Sequence, residues 1–305
     1  LVRGDQRYVA RLMPAGDSVV APGGARPLNP DGAYLISGGL GGLGLVFAQQ
    51  LAAWEARRVV LLGRRPPEPS VLESLDAIRA QGTEVIVELG DVAEPGDVAR
   101  ALARATGGDL PLKGILHSAL ALDDGVILQL DQVRFRSVFD AKLLGAWNLH
   151  EQTRGVPLDF FVLFSSLVSI LGSPGQSNYT AASAGVDAFA DYRRALGLPA
   201  LSINWAPWSD VGQAVTRSDR GVRMTHQGLH SISPTEACRV FRHLLGETPP
   251  AVGVMRLDLR QWRQSHPRVA ASPLFAELSG DETAAVSSIP VDELPKLLSG
   301  ALPHR

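Results

Sequence analysis

The sequence has very little cysteine, almost no net charge and no long apolar run. Cys238 is the sole cysteine among 305 residues, so no internal disulfide can form. That scarcity fits a reducing compartment, and a cytoplasmic location is expected. The formal net charge is −2, which offers nucleic acid or an anionic membrane no electrostatic attraction. No apolar stretch approaches the roughly 20 residues of a membrane span. No metal site and no internal repeat is expected. The chain opens on Leu1 with no charged-then-apolar signal after it. It reads as a piece of something longer, whether cut by cleavage or by truncation.

Apolar residues make up 45% of the chain, enough for one large α/β domain or two smaller ones. Arg7–Met13 alternates apolar and polar residues and reads as one strand with no obvious partner in the rest of the chain. Pro14–Gly32, rich in Pro, Gly and Ala, reads as linker. From Ala33 onward short apolar runs alternate with helical patterns. The strand candidates are Ala33–Ser37, Arg58–Leu62, Glu84–Glu88, Lys113–His117, Asp159–Phe164, Ala200–Asn204 and Ala251–Met255. Between them lie Leu45–Trp54, Ser70–Gln81, Pro95–Ala105, Gln132–Gln152, Tyr179–Leu196 and Pro234–Leu245. Runs apolar on both faces, alternating with helices, predict an α/β, Rossmann-like doubly wound parallel sheet with helices on both faces. After Trp262 the pattern fades. Ser265–Pro290 reads as a tether, and Val291–Leu302 as a short amphipathic helix or a solvated tail. The expected division is 1–31, 32–262 and 263–305.

Strand, glycine cluster and helix follow one another at Ala33–Leu51. Gly39-x-Gly41-x-x-Gly44 fits one dinucleotide spacing and Ser37-Gly38-x-x-x-Gly42-x-Gly44 a second, with Leu40 and Leu43 between the glycines. Glycines permit positive φ and let the backbone approach a pyrophosphate, towards which the next helix points its free N–H groups. An ordinary tight turn is the alternative. The second strand candidate ends in Gly63-Arg64-Arg65, where an acid would select NAD. Guanidinium groups there favour the 2′-phosphate of NADPH, unless both arginines are merely solvated. Asp91 after the third strand is placed to accept the adenine amino group or to act as an N-cap.

Ser165-Ser166 close an apolar strand, at the sheet end where ligands bind. Tyr179 opens the next helical pattern, and Lys142 lies on the preceding one. These residue types support carbonyl reduction. Charge developing on a ketone oxygen needs a proton donor and a second hydrogen bond. A phenol can be the donor when a cation lowers its pKa from about 10. Packing for the tyrosine and capping for the serines are the plain alternatives.

Together the blocks Ser37–Gly44, Leu62–Arg65, His117–Gly125, Lys142–His150, Phe164–Gly175, Asn178–Tyr179 and Asn204–Gly212 resemble the catalytic half of a ketoreductase domain from modular type I polyketide synthases. These domains are a branch of the short-chain dehydrogenase/reductases. The resemblance runs from about Gly32 to about Trp262. It implies NADPH-dependent reduction of a 3-oxoacyl chain on an acyl carrier protein. Neighbouring synthase domains, including a structural half preceding this one, are the implied partners. Lys142, Ser166 and Tyr179 stand 24 and 13 residues apart, as in that family. The resemblance makes Tyr179 the proton donor, Ser166 the carbonyl anchor and Lys142 the tuning charge. It adds Val92, His117, Ser118 and Ala119 to the cofactor contacts, together with Tyr179 and Lys142. It also places a substrate lid at Gln213–Gly228. Ser183 occupies a fourth position that is commonly Asn, and offers a shorter arm with fewer hydrogen bonds. Leu122-Asp123-Asp124 matches the signature of B-type domains, although Asp123 and Asp124 also suit the cap of a helix starting near Gly125. Leu171 stands where A-type domains have Trp. Pro174 and Asn178 agree with B-type, Ala181 shows no sign of the Pro of epimerising relatives, and Trp208 joins this substrate set. The implied product is a D-configured 3-hydroxyacyl thioester. A catalytically silent scaffold domain and a free-standing short-chain reductase are the alternatives.

Overall fold

The computed structural model describes residues 2–3, 5–14, 28–108, 110–209, 211, 224–245 and 249–278, and the backbone of 298–302. The chain divides into two compact units. One is Arg26–Ile203, and the other combines Leu1–Ala25 with Asn204–Arg305.

The Arg26–Ile203 unit alternates strand and helix. In order it contains β1 Ala33–Ser37, α1 Gly42–Ala53, β2 Arg58–Gly63, α2 Pro69–Ala80, β3 Glu84–Leu89, α3 Pro95–Ala105 and β4 Leu112–His117. Then come α4 Gln132–Phe139, a π turn at Asp140–Leu144, α5 Gly145–Glu151, β5 Phe160–Ser166, α6 Val168–Leu171 and α7 Ser177–Ala195. The strand order is β3-β2-β1-β4-β5, every described pair among these is parallel, and Leu201–Trp205 follows β5. This is the Rossmann-like sheet expected, with the chain switching direction beside β1.

Alternation along the strands explains why helices cover both faces. Ala33, Leu35, Val60, Leu62, Ile115, Phe161 and Leu163 share a core with α3, α5 and α7 through Val98, Leu102, Leu149, Val186 and Phe189. Their strand neighbours Tyr34, Ile36, Val59, Leu61, Leu116 and Val162 point the other way and are equally buried. α1 and α2 lie against each other, and α1 packs on β1 and β2. The pattern Gln132–Gln152 is helical as expected, but a π turn interrupts it. Such one-residue insertions recur at functional sites.

Three expectations change in the second unit. Arg7–Met13 is not one strand. Val2–Arg3 pairs with Gln6–Arg7 as a small antiparallel ladder, and a separate strand, Arg11–Pro14, follows. That strand does have a partner: it pairs antiparallel with Leu298–Leu302, which also pairs with Ala251–Val254. Val291–Leu302, read as a short helix or a solvated tail, is instead a strand over its last five residues. Ser299 and Gly300 are poor helix formers, and a strand edge on either side satisfies their backbone groups. The first part of Ser265–Pro290, read as tether, is structured, and 279–290 lies outside the described residues. Leu259–Ser265, Pro267–Ala270 and Pro273–Leu278 are helical, and Phe275 is buried with its ring 6.5 Å from that of Trp262. Of the expected lid, Gln213–Arg223 lies outside the described residues, while Met224–His226 forms one helical turn.

Candidate active site

The glycine turn starts where β1 ends. Gly38 donates its N–H to the Leu62 carbonyl at 2.8 Å with φ +71°, in the left-handed region that L side chains avoid. A Cβ on Gly38 would stand 2.7 Å from the Ala119 nitrogen, and one on Gly44 would collide with the Gly38 carbonyl. The demand at Gly38 belongs to the Ser37-Gly38 spacing, and that at Gly44 to both spacings. A Cβ on Gly39 would come within 2.8 Å of the Ile36 carbonyl, whereas one on Gly41 would meet only the Gly38 carbonyl at 3.3 Å. No side chain caps α1. The cradle, the uncapped helix start carrying Gly42 and Leu43, and the small Gly41 fit a pyrophosphate.

Arg64 and Arg65 are exposed just past β2. Arg64 lies 3.8 Å from an Asp91 oxygen, and the other Asp91 oxygen accepts from the Ala93 N–H at 3.0 Å. Asp91 is thus an Asx turn and an ion-pair partner, and it is not the N-cap of α3, which is Glu94. The Asp91 N–H donates to Asp97 at 2.6 Å and holds that carboxyl below its usual range. Val92 is buried, and its carbonyl accepts from the Asn148 amide.

At the end of β4, His117 is buried with both ring nitrogens engaged, by Ser37 at 2.6 Å and by the Lys142 carbonyl at 2.7 Å. The Ser118 N–H and hydroxyl both donate to the Ser37 carbonyl. Burial lowers the His117 pKa to about 4.

The reactive types converge at the ends of β5 and α7. Ser166 ends β5, and Tyr179 lies in the first turn of α7. Lys142 sits in the π turn and is 3% exposed, and its ammonium donates to the Phe164 carbonyl at 2.6 Å. The ammonium is 5.3 Å from the centre of the Tyr179 ring. Burial lowers the Lys142 pKa to about 8, opposed by the Asp187 charge. Burial raises the Tyr179 pKa, and hydrogen bonding to the Ser166 and Ser183 hydroxyls counters it. Ser183 Oγ is near enough to exert that effect but makes no hydrogen bond of ordinary geometry. A protonated phenol beside two hydroxyls and an ammonium can donate a proton to an oxygen and hold the charge left behind.

Neither Asp123 nor Asp124 caps a helix, since the turn at Ile127–Gln129 follows an uncapped Val126. Asp123 accepts from Arg134 Nε at 2.8 Å, and Asp124 accepts from Gln176 Nε2 at 2.9 Å. Asn178 donates to the Asp123 carbonyl at 2.7 Å, and its own carbonyl oxygen accepts from the Tyr179 N–H. Leu171 ends α6, and Pro174 is exposed in the following loop. Trp208 belongs to the other unit, where its ring meets that of Trp205 edge-on at 5.3 Å. Sequence reasoning missed Arg134, Gln176 and Asp187. Each acts on a residue outside its own element, and no local pattern announces it.

A KR domain family model matches residues 32–210. The chain belongs to the KR domain family. This KR chain is 37% identical over 302 residues to phthioceranic/hydroxyphthioceranic acid synthase of Mycobacterium tuberculosis (strain ATCC 25618 / H37Rv), covering 96% of this chain and 14% of that protein. It is 40% identical over 232 residues to a mycocerosic acid synthase-like polyketide synthase of Mycolicibacterium smegmatis, covering 74% of this chain and 11% of the relative. It therefore spans a small fraction of the large synthases it matches. Among solved structures, an A-type ketoreductase from a modular polyketide synthase superposes with a TM-score of 0.79 at 32% identity, over 85% of this chain and 54% of that one. The first ketoreductase of the tylosin synthase gives 0.73 at 35% identity, over 81% and 54%. The KR domain is an oxidoreductase of the polyketide-synthase kind, and among the described residues no helix is long and apolar enough to cross a membrane.

Proposed function

We propose that this domain uses NADPH to reduce the 3-oxo group of a polyketide intermediate carried on an acyl carrier protein, giving a D-configured 3-hydroxyacyl thioester. The observation that carries the reading is the meeting of Lys142 and Tyr179 beside the C-terminal end of β5, where Ser166 stands. NADPH supplies the hydride when bound. The cradle at Ser37–Gly44 and the exposed Arg64 and Arg65 would hold its phosphates, with Asp91, His117, Ser118 and Ala119 lining the strand ends beyond. Ser166 donates a hydrogen bond to the ketone oxygen. Tyr179 Oη donates the proton that this oxygen takes up, and the Lys142 ammonium stabilises the phenolate left behind.

The B-type configuration rests on Leu122-Asp123-Asp124 with Leu171, Pro174 and Asn178, whose loop is braced by Arg134 and Gln176. Trp208 stays in the proposed substrate set. The proposed arrangement is a catalytic region at 32–262 within a synthase, with its acyl carrier and neighbouring domains as partners and a cytoplasmic setting.

The test is NADPH oxidation with a 2-methyl-3-ketoacyl thioester, followed by chiral analysis of the product. A D-configured alcohol is expected, and an L-configured one overturns the B-type assignment. Ser183, in place of the commoner Asn, favours a second reading as a silent scaffold domain. Tight NADPH binding without reduction of any 3-ketoacyl thioester would establish that reading instead.

A further inference from the structure

His117 is a buried titratable group to which the chemistry above assigns no proton or charge. Its Nε2 lies 2.7 Å from the Lys142 carbonyl. A carbonyl can only accept, so Nε2 carries the hydrogen. In a neutral ring Nδ1 is then an acceptor, and the Ser37 hydroxyl, itself fully buried, donates to it at 2.6 Å. A pKa lowered to about 4 agrees with the neutral ring. The result is a relay running from the end of β1, through β4, to the helix that bears the lysine.

The place where it ends matters. Lys142 lies inside the π turn Asp140–Leu144, where the ordinary i→i−4 ladder is offset by one residue. Removing that offset would rotate one side of the helix by about 100° relative to the other. Gly145 lets the imidazole lie against this turn, because a Cβ there would stand 3.0 Å from His117 Cε1 and 2.6 Å from Val92 Cγ1. Lys142 then reaches the Phe164 carbonyl and the Tyr179 ring with its ammonium.

We propose that His117 is the positioning residue for Lys142: its Nε2–H, with the tautomer set by Ser37, holds the π turn in the register that brings the ammonium to Tyr179. His117 touches no reacting atom. The proposal rests on the reading of Lys142 as the tuning cation. Its test therefore needs a readout apart from turnover.

The chain supplies one, because its three lysines are Lys113, Lys142 and Lys296. Labelling the lysine Cε carbons of the full chain gives few signals, and Lys142→Arg assigns the one of interest. The charged or titratable groups facing Lys142 are Tyr179 and Asp187 on α7 and His117 on β4. The variants are His117→Gln, whose amide reaches as far as Nε2, and His117→Asn, whose amide reaches only as far as Nδ1. In His117→Asn the Lys142 titration midpoint should move by about half a unit or more, and kcat should fall about 100-fold, because small misplacements of reacting groups cost that much. His117→Gln should keep kcat within about tenfold of the parent. An unchanged Lys142 midpoint in His117→Asn, or equal damage in the two variants, overturns the proposal. If the parent reduces no thioester, the reductase reading falls, and the Lys142 midpoint alone judges the positioning role.

Discussion

The glycine turn at Ser37–Gly44 is built almost wholly of backbone, whereas the cluster around Lys142 is built of side chains withdrawn from water. In the turn, Gly38 and Gly44 matter through the side chains they lack, since any Cβ would strike the neighbouring backbone. In the cluster, burial shifts each titratable group away from its charged form, and neighbouring dipoles and charges partly restore it. The first region leaves no room for added volume. The second tolerates little change in charge or reach.

The largest test of this contrast is Tyr179→Phe, which removes one oxygen and adds no bulk. Reduction should fall about 1,000-fold or more while NADPH affinity holds, read by steady-state kinetics against direct binding. Full activity would reject the mechanism.

Acid should separate the regions next. His117 titrates at about 4 in the fold against 6.5 when free, so below 6.5 the unfolded chain binds a proton that the folded chain refuses. Stability is therefore whole above pH 6.5 and is lost as pH falls towards 4, by about 3 kcal/mol from this group. Denaturant titrations across that range measure the slope, and His117→Gln should flatten it.

Gly38→Ala tests the turn. With φ +71° and the Ala119 backbone in the way, NADPH affinity should drop about 100-fold, while the Lys142 titration midpoint stays in place. A moved midpoint would mean that the two regions are coupled more tightly than this comparison allows.

Alkali should act on the cluster again. As pH rises through about 8, Lys142 loses the charge that stabilises the phenolate, so the reduction rate should fall by about tenfold per unit beyond the midpoint. The smallest effect is expected at the solvated edge of the turn. Arg64→Ala should narrow the preference for NADPH over NADH by about fivefold, since the exposed Arg65 remains and Arg64 is well solvated.

Much of the Arg26–Ile203 unit is legible in the sequence. Four of its strands, Ala33–Ser37, Arg58–Gly63, Leu112–His117 and Phe160–Ser166, are largely apolar runs buried on both faces, and such runs need only local reading. The helix boundaries fall within three residues of the pattern, with α1 starting at Gly42 where the apolar run suggested Leu45. The strand pairing of Arg11–Pro14 with Leu298–Leu302 was not legible, because the partners stand at opposite ends of the chain. Arg134 beside Asp123 and Asp187 near Lys142 were hidden too, because no local period of strand or helix links them.

The order of strands and helices and the glycine spacing are properties of the chain as written, because each follows from neighbours a few residues away, while Lys142, Ser166 and Tyr179 stand out as a set through the family resemblance. The π turn, the tautomer of His117 and the charge balance around Lys142 arise only on folding. They depend on groups from β1, β4, β5 and α7 meeting where water is excluded, and hydrogen bonds and charges act strongly there because no solvent competes with them.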